Sequence, residues 1–432
     1  MRFFRFLAIA VAIPALSQGD DGHGTGSTAG GANKLAFILP NLFGTGGLTL
    51  PNPDHVAHFD SAFRESFTPF NSAIASQLTS LPIPSPASGF IYTVDPALGV
   101  ATKSSISFGP ILAERAETIG KDKFFFGFSS QFFRFDSLDG ISLRNVPAVF
   151  QHSPTDNVNY QRDLITADTF LDMRIGQFTS YFTYGLTDRL DVSVALPLVS
   201  ASLDAVSTAR VQRIGTGADS SVHFFNSGDR TSEQFSGSGH AFGIGDVLVR
   251  TKGTVFRSAN AGLALGLDLR APTGDEYDFL GSGAAGVRPF LALSFRAGRV
   301  SPHFNGSFQW NGSSVLAGDV TTGRKQKLSN EIGYVAGADI GLTQKFTLAM
   351  DLLGLSRTKG TYATLTNFTA ANNQAFQNIA FRSGSRNITN GSVGFKVNGV
   401  ANLLVTFNLL FKLNNDGLRG RVTPLIGLAY SF

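Results

Sequence analysis

Three groups of side chains in this sequence have the types and spacing to do chemistry. Asp275, Glu276 and Asp278 crowd three carboxylates into the run Pro272-Thr-Gly-Asp-Glu-Tyr-Asp278. Hard cations take such oxygens, so Ca²⁺ or a divalent ion bridging lipopolysaccharide phosphates is conceivable there. The run lacks the spacing of an EF-hand loop, and it reads first as a solvated turn. His303, Asn305 and Ser307 alternate along one segment. On a strand they share a face, yet residues four apart lie about 13 Å from each other at ~3.3 Å per residue. A serine nucleophile needs its histidine within hydrogen-bond reach, so this trio suits a polar wall better than catalysis. Asp268 and Arg270 form the third group, with Arg250 and Lys252 on the preceding strand. They either set ion selectivity or keep one another satisfied, and the two roles are compatible. No Gly-x-Ser-x-Gly elbow, His-Glu-x-x-His or P-loop occurs, and His23 beside Asp20 and Asp21 sits in a solvated Gly-rich run. The expectation is a chain without catalytic residues, bound metal or cofactor.

The elements carrying these residues are strands. In Val422–Phe432 the residues Val422, Ile426, Leu428, Tyr430 and Phe432 fall on even positions, with Thr423, Gly427, Ala429 and Ser431 between them. Only Pro424 and Leu425 break this period of two, which marks a β-strand. The same alternation recurs in Lys123–Phe135, Phe178–Tyr184, Leu190–Leu198, Phe242–Phe256, Leu263–Leu269, Val287–Phe295, Phe304–Trp310, Ile332–Ile340, Phe346–Leu352, Val393–Val397 and Leu403–Leu413. Twelve strands result, or fourteen if a hairpin over 89–108 joins them.

Connections alternate between two kinds. Those at 185–189, 257–261, 297–300, 341–344 and 398–402 are short, whereas those near 137–168, 202–240, 272–285, 312–328, 357–390 and 414–420 are mostly long and rich in Gly, Asn and Ser. Short turns on one side, long loops on the other and an even strand count are the pattern of a transmembrane barrel. The predicted fold is therefore all-β, an antiparallel up-and-down transmembrane β-barrel. Its polar faces are lumen candidates: Arg250, Lys252, Asp268, Arg270, Arg288, His303, Asp339, Lys345, Asp351, Lys396 and Lys412. Its apolar faces, rich in Phe with Tyr and Trp310, suit lipid and interfacial girdles. Tyr430 and Phe432, at the end of the last strand, are the expected assembly signal.

Composition agrees. Cys is absent, so thiolate metal sites and Cys nucleophiles are excluded. The formal net charge is +4, or +2 without Arg2 and Arg5, too small and scattered for a nucleic-acid partner. Residues 1–17 read as a secretory signal peptide, with Arg2 and Arg5 before the apolar run Phe6–Ile13 and a small-residue cleavage site at Ala15-Leu16-Ser17. Residues 18–119 read as a Gly/Pro-rich segment that plugs the lumen, adds a hairpin or lies in the periplasm, with a helix over about 59–78; the barrel occupies 120–432. Both termini are expected on the periplasmic side.

With the strands placed, Tyr184-Gly-Leu-Thr-Asp-Arg-Leu-Asp-Val-Ser-Val-Ala-Leu-Pro-Leu198 resembles a family block, as do Gly245-Asp-Val-Leu-Val-Arg-Thr-Lys252, Leu267-Asp-Leu-Arg-Ala-Pro-Thr-Gly-Asp-Glu276 and Leu280-Gly-Ser-Gly283. The family is that of transporter-like outer-membrane barrels named for the MetA-pathway of phenol degradation. The resemblance covers roughly 170–320, outside the leading 100 residues. It implies residence in the outer membrane of a Gram-negative bacterium and passage of aromatic or other hydrophobic compounds. The partners expected are outer-membrane lipid, the barrel-assembly machinery and small-molecule solutes. The alternatives are a barrel-type hydrolase, or a surface barrel with partner-binding loops.

Overall fold

The computed structural model describes residues 34–44, 48, 50, 59–80, 85, 92–94, 101–103, 107–151, 162–215, 223–225, 230–400 and 402–431. The leader, the Gly-rich run with His23, and Phe432 lie outside them. Twelve wall strands run in chain order: β1 (Phe124–Phe135), β2 (Leu164–Thr187), β3 (Leu190–Gln212), β4 (Val247–Arg257), β5 (Ala261–Ala271), β6 (Gly286–Phe295), β7 (Val300–Asn311), β8 (Glu331–Thr343), β9 (Phe346–Thr369), β10 (Ala375–Val400), β11 (Leu403–Lys412) and β12 (Val422–Ser431). Each pairs antiparallel with its sequence neighbours, and β12 closes on β1 from Leu425 opposite Gln131 to Ser431 opposite Phe125. Closure leaves no strand edge, which hydrocarbon would penalise by several kcal/mol per unpaired group. Among the described residues Tyr92–Val94 and Ala101–Lys103 pair only with each other, so the wall has twelve strands rather than fourteen.

The period of two decides which way each side chain points. Leu265, Leu267 and Leu269 of β5 face outward and are exposed, while Asp268 between them is buried inside. Phe124, Phe126 and Phe132 of β1, Leu352 of β9 and Ile426 of β12 point outward in the same way. This is the inverse of a soluble barrel, and it matches a wall facing lipid. Aromatic contacts tie neighbouring strands on that face, as between Phe124 and Tyr184 (4.8 Å) and between Phe346 and Phe395 (5.5 Å). The irregular pair in β12 has a local cause. Leu425 points inward onto Ile111, and Pro424 lies one residue beyond the last pairing with β1, where no partner awaits its missing N–H.

Much of the sequence expected as outer loop is strand instead. β9 and β10 pair well past the wall, from a register shift at Arg357/Gly360 up to Thr369 opposite Ala375. Neither neighbour follows them: β8 stops at Arg357 and β11 at Asn390. β2 and β3 also continue, flanked by Val146–Gln151 and Ser232–Ile244. Polar Thr, Ser and Asn alternate there as well as apolar residues do, and they form strands because backbone pairing needs no apolar face. Pro197 marks where β3 changes partner from β4 to Ser232–Ile244, and its carbonyl accepts the Gly245 N–H at 2.8 Å.

A cationic side chain on the outward face must meet lipid. Leu267→Arg should cost about 2–4 kcal/mol if it sits near mid-membrane. Denaturant unfolding in lipid vesicles measures this, with Leu267→Ala expected to cost far less.

Candidate functional site

The lumen is not an open pore. A helix, α1 (Asp60–Leu78), stands at the long-loop end, and residues 107–119 cross the lumen nearer the short turns. The end of α1 is held by cations from the wall. Arg357 Nη2 donates to the Ser76 carbonyl (2.5 Å) and to Ser80 Oγ (2.8 Å), and Arg270 Nη1 donates to the Thr79 carbonyl (3.0 Å). Orphan carbonyls at a helix C-terminus favour such donors, and the helix dipole favours their charge. Arg357 is itself paired with Glu331 (2.9 Å). Farther out, Lys34 bridges Asp275 (2.9 Å) and Asp278 (2.5 Å). Hydrogen bonds to Asp278, then to Asp275, raise the Lys34 ammonium above its ordinary value. The described N-terminal residues therefore begin at the long-loop end, while the N-terminus itself and Phe432, both expected at the short-turn end, lie outside the described residues.

The segment 107–119 is fixed by the wall residues whose charges the sequence singles out. Arg250 makes two bonds to Asp268 (2.6 and 2.9 Å) and one to Glu114, and Arg288 donates to the same Asp268 (2.8 Å). Lys252 reaches Glu114 (3.5 Å) and the Arg115 carbonyl (3.2 Å). Asn305 both donates to the Glu114 carbonyl and accepts its N–H, each at 2.7 Å. Thr254 donates to the Ala116 carbonyl (2.6 Å), Ser294 accepts the Ala116 N–H (2.9 Å), and Arg296 pairs with Glu117. On the other flank His303 bridges Asp351 (2.6 Å) and Asp339 (3.4 Å), and Asp339 accepts a bond from Ser107 Oγ. Lys396 donates to the carbonyls of Phe108 and Pro110. The exit is tight: Gly185 exchanges hydrogen bonds with Asp122 and Lys123, and a Cβ at 185 would come within 1.8 Å of the Gly120 carbonyl.

Of the predicted lumen residues, Arg250, Lys252, Asp268, His303, Asp339, Asp351 and Lys396 are buried inside, and Arg270, Arg288 and Lys412 are half-buried there. Lys345 is different: it lies in the β8–β9 turn and is exposed. Its position matches the inward parity of β9, but the strand begins only at Phe346. Tyr430 lies in β12, opposite Leu403 and Phe126. Ser307 Oγ donates to the Gly333 carbonyl (3.5 Å) while His303 is held by two carboxylates, so the two do not meet. The 275–278 carboxylates are not a bare solvated turn. Two hold Lys34, and Glu276 accepts from Ser314 Oγ (3.1 Å) and Lys325 (3.3 Å). Among the described residues no cluster of carboxylates and imidazoles forms a metal site.

Between α1 and residues 107–119 the lumen keeps a cavity of about 200 Å³. Gln77 and Ser80 lie above it, Leu112 and Glu114 below. Phe133, Phe135, Leu353, Leu355, Ile388 and Leu410 give its walls apolar patches beside polar ones, and Arg288, Lys412 and Arg419 bring charge to them. Sequence reading overlooks Glu114, Glu117 and Arg419. The first two stand in Glu114-Arg-Ala-Glu117, a charge run in a chain only 15% charged, which is the signal available for them.

The family model for the MetA-pathway of phenol degradation matches residues 165–349. No curated protein matches the chain. Similar solved structures include the COG4313 outer-membrane channel of Pseudomonas putida F1, at 15% identity over 73% of this chain and 98% of that one, TM-score 0.45. The toluene transporter TbuX of Ralstonia pickettii aligns at 11% identity over 82% of this chain and 100% of that one, TM-score 0.36. A FadL homologue of Pseudomonas aeruginosa aligns at 9% identity over 82% and 98%, TM-score 0.34.

Asp268 neutralises two guanidinium groups from a nearly fully buried position. Asp268→Asn should therefore destabilise the barrel by on the order of 3 kcal/mol, the cost of leaving buried charge unpaired. A lowered unfolding midpoint and faster proteolysis near Glu114 are the expected readouts. Residues 165–349, from the upper part of β2 to β9, carry the match to the MetA-pathway of phenol degradation family, the same family that the blocks at 184–198, 245–252 and 267–283 resemble.

Proposed function

We propose that this protein is a passive outer-membrane channel for small, largely apolar molecules, gated by its own N-terminal segment. The observation that carries the reading is the lumen: a closed wall with an apolar exterior surrounds a cavity bounded by α1 and by residues 107–119. In this reading residues 18–119 are the plug and 120–432 the barrel. The polar inward residues hold the plug by paired charges, so little bare charge remains to attract ions. The apolar patches of the cavity, at Phe133, Phe135, Leu353 and Leu355, instead offer a way-station to a molecule that sheds water on entry. Passage then needs the plug to shift within the lumen, and it consumes no cofactor or energy source. The family match over 165–349 supports this reading.

A disulfide lock tests the gate. An ideal Cβ at Gly262 lies 3.0 Å from the Ala116 Cβ, and the chain has no native Cys to interfere. Ala116→Cys with Gly262→Cys, once oxidised, should abolish conductance in planar bilayers and regain it on reduction. Removal of residues 33–119 should give large, steady conductance. A locked protein that conducts as well as wild type would sink the proposal.

A further inference from the structure

We infer that the lumen cavity selects aromatic monocarboxylates, with Arg419 as the residue that takes the carboxylate; this rests on the plugged-channel reading above. Arg419 sits in the outer loop between β11 and β12, whose Leu418–Arg419 pair with Ser137–Leu138, so the loop folds inward over the cavity. The side chain is only 5% exposed. Its Nη2 donates to the Thr389 carbonyl (2.9 Å) and to Asn390 Oδ1 (2.5 Å), but its buried Nε has no partner.

Among the described residues no carboxylate forms an ion pair with it, and Asp416 and Asp136 offset its charge only from a distance. Asp136, the nearest candidate on β1's side, is taken by Lys412 (3.4 Å) and Arg421 (3.3 Å). Glu331 is taken by Arg357, and Glu114 by Arg250. Asp416 is nearby in the same loop without forming a pair within 4 Å among the described residues, and Arg357 adds like charge. Burial, reinforced by Arg357, pulls the Arg419 guanidinium down to about 10, so it stays cationic at neutral pH. Nε is sealed from the cavity, whereas Nη1 has no hydrogen-bond partner among the described residues and is not sealed, so a buried cation presents a free donor on the rim of an otherwise occupied charge network, a seat for an anion.

The rest of the cavity describes the body of that anion. Phe133 and Phe135 stack at 6.2 Å with 12° between their planes, and Leu353, Leu355 and Leu410 face them across the space. An apolar cavity of about 150 Å³ accepts benzene. The roughly 200 Å³ here holds a ring together with one carboxylate. A free inorganic anion would leave the aromatic walls unused, and a neutral arene would leave Arg419 unanswered.

Equilibrium dialysis of the full-length protein in detergent, with labelled benzoate and labelled benzyl alcohol as probes, tests this. Wild type should bind benzoate at least tenfold more tightly than benzyl alcohol. Arg419→Gln should remove that preference by weakening benzoate alone, and Arg419→Lys should restore part of it; heat-modifiable migration verifies that each variant is folded. Should a variant fail to fold, the wild-type preference between the two probes still decides. Equal binding of both probes, or undiminished benzoate binding in folded Arg419→Gln, overturns the carboxylate assignment while the channel reading stands. Binding of neither probe overturns it too, and the conductance of the disulfide-locked protein then shows whether the channel reading falls with it.

Discussion

Hydrocarbon offers no hydrogen bond, so a chain that spans it with strands must close its sheet, and everything else here follows from that closure. Twelve strands make a ring wider than the roughly eight whose side chains can fill the interior by themselves. The inward positions thus border a space that must hold either water or more protein. Here it holds part of the same chain. Glu114 and Glu117 meet Arg250, Lys252 and Arg296, and backbone carbonyls at 108 and 110 meet Lys396. The outside needs only apolar bulk, which explains why Leu and Phe there follow a strict alternation and little else.

The wall was legible because one periodicity governs it. Lipid and lumen lie on opposite faces of every strand, so Leu263–Leu269 or Val422–Phe432 reveals its orientation without reference to any other segment. Residues 107–119 have no such rule. Their conformation is set by partners more than a hundred positions away, as in the Arg250–Glu114 pair, and no local pattern encodes that. The outer strands escaped for another reason: beyond the membrane neither face needs to be apolar, and Thr-, Ser- and Asn-rich strands resemble loops in composition. Leu425 shows a subtler limit. It looks like an error of alternation until Ile111 is found beneath it.

The candidate site inherits this division. Its charged residues were visible as a polar face, but whether a charge lines water or is already spent on a partner depends on the inner segment. Asp268 and His303 prove to be structural clamps, and each is saturated. Arg419, in a short loop rather than on a wall strand, lies outside the periodic pattern and keeps a donor in hand. In the proposed channel, electrostatic selectivity comes from the residue the network leaves over.

The placement of α1 and residues 107–119 limits how the inner part of the chain can move. Among the described residues Lys34 lies beside the outer loops, α1 and residues 107–119 lie within the ring, and the chain reaches β1 at the opposite end through the narrow gap at Gly185. Because the wall strand β1 anchors its far end at the short turns, the segment can be rearranged inside the ring, but withdrawing it toward that end means drawing α1 through the lumen.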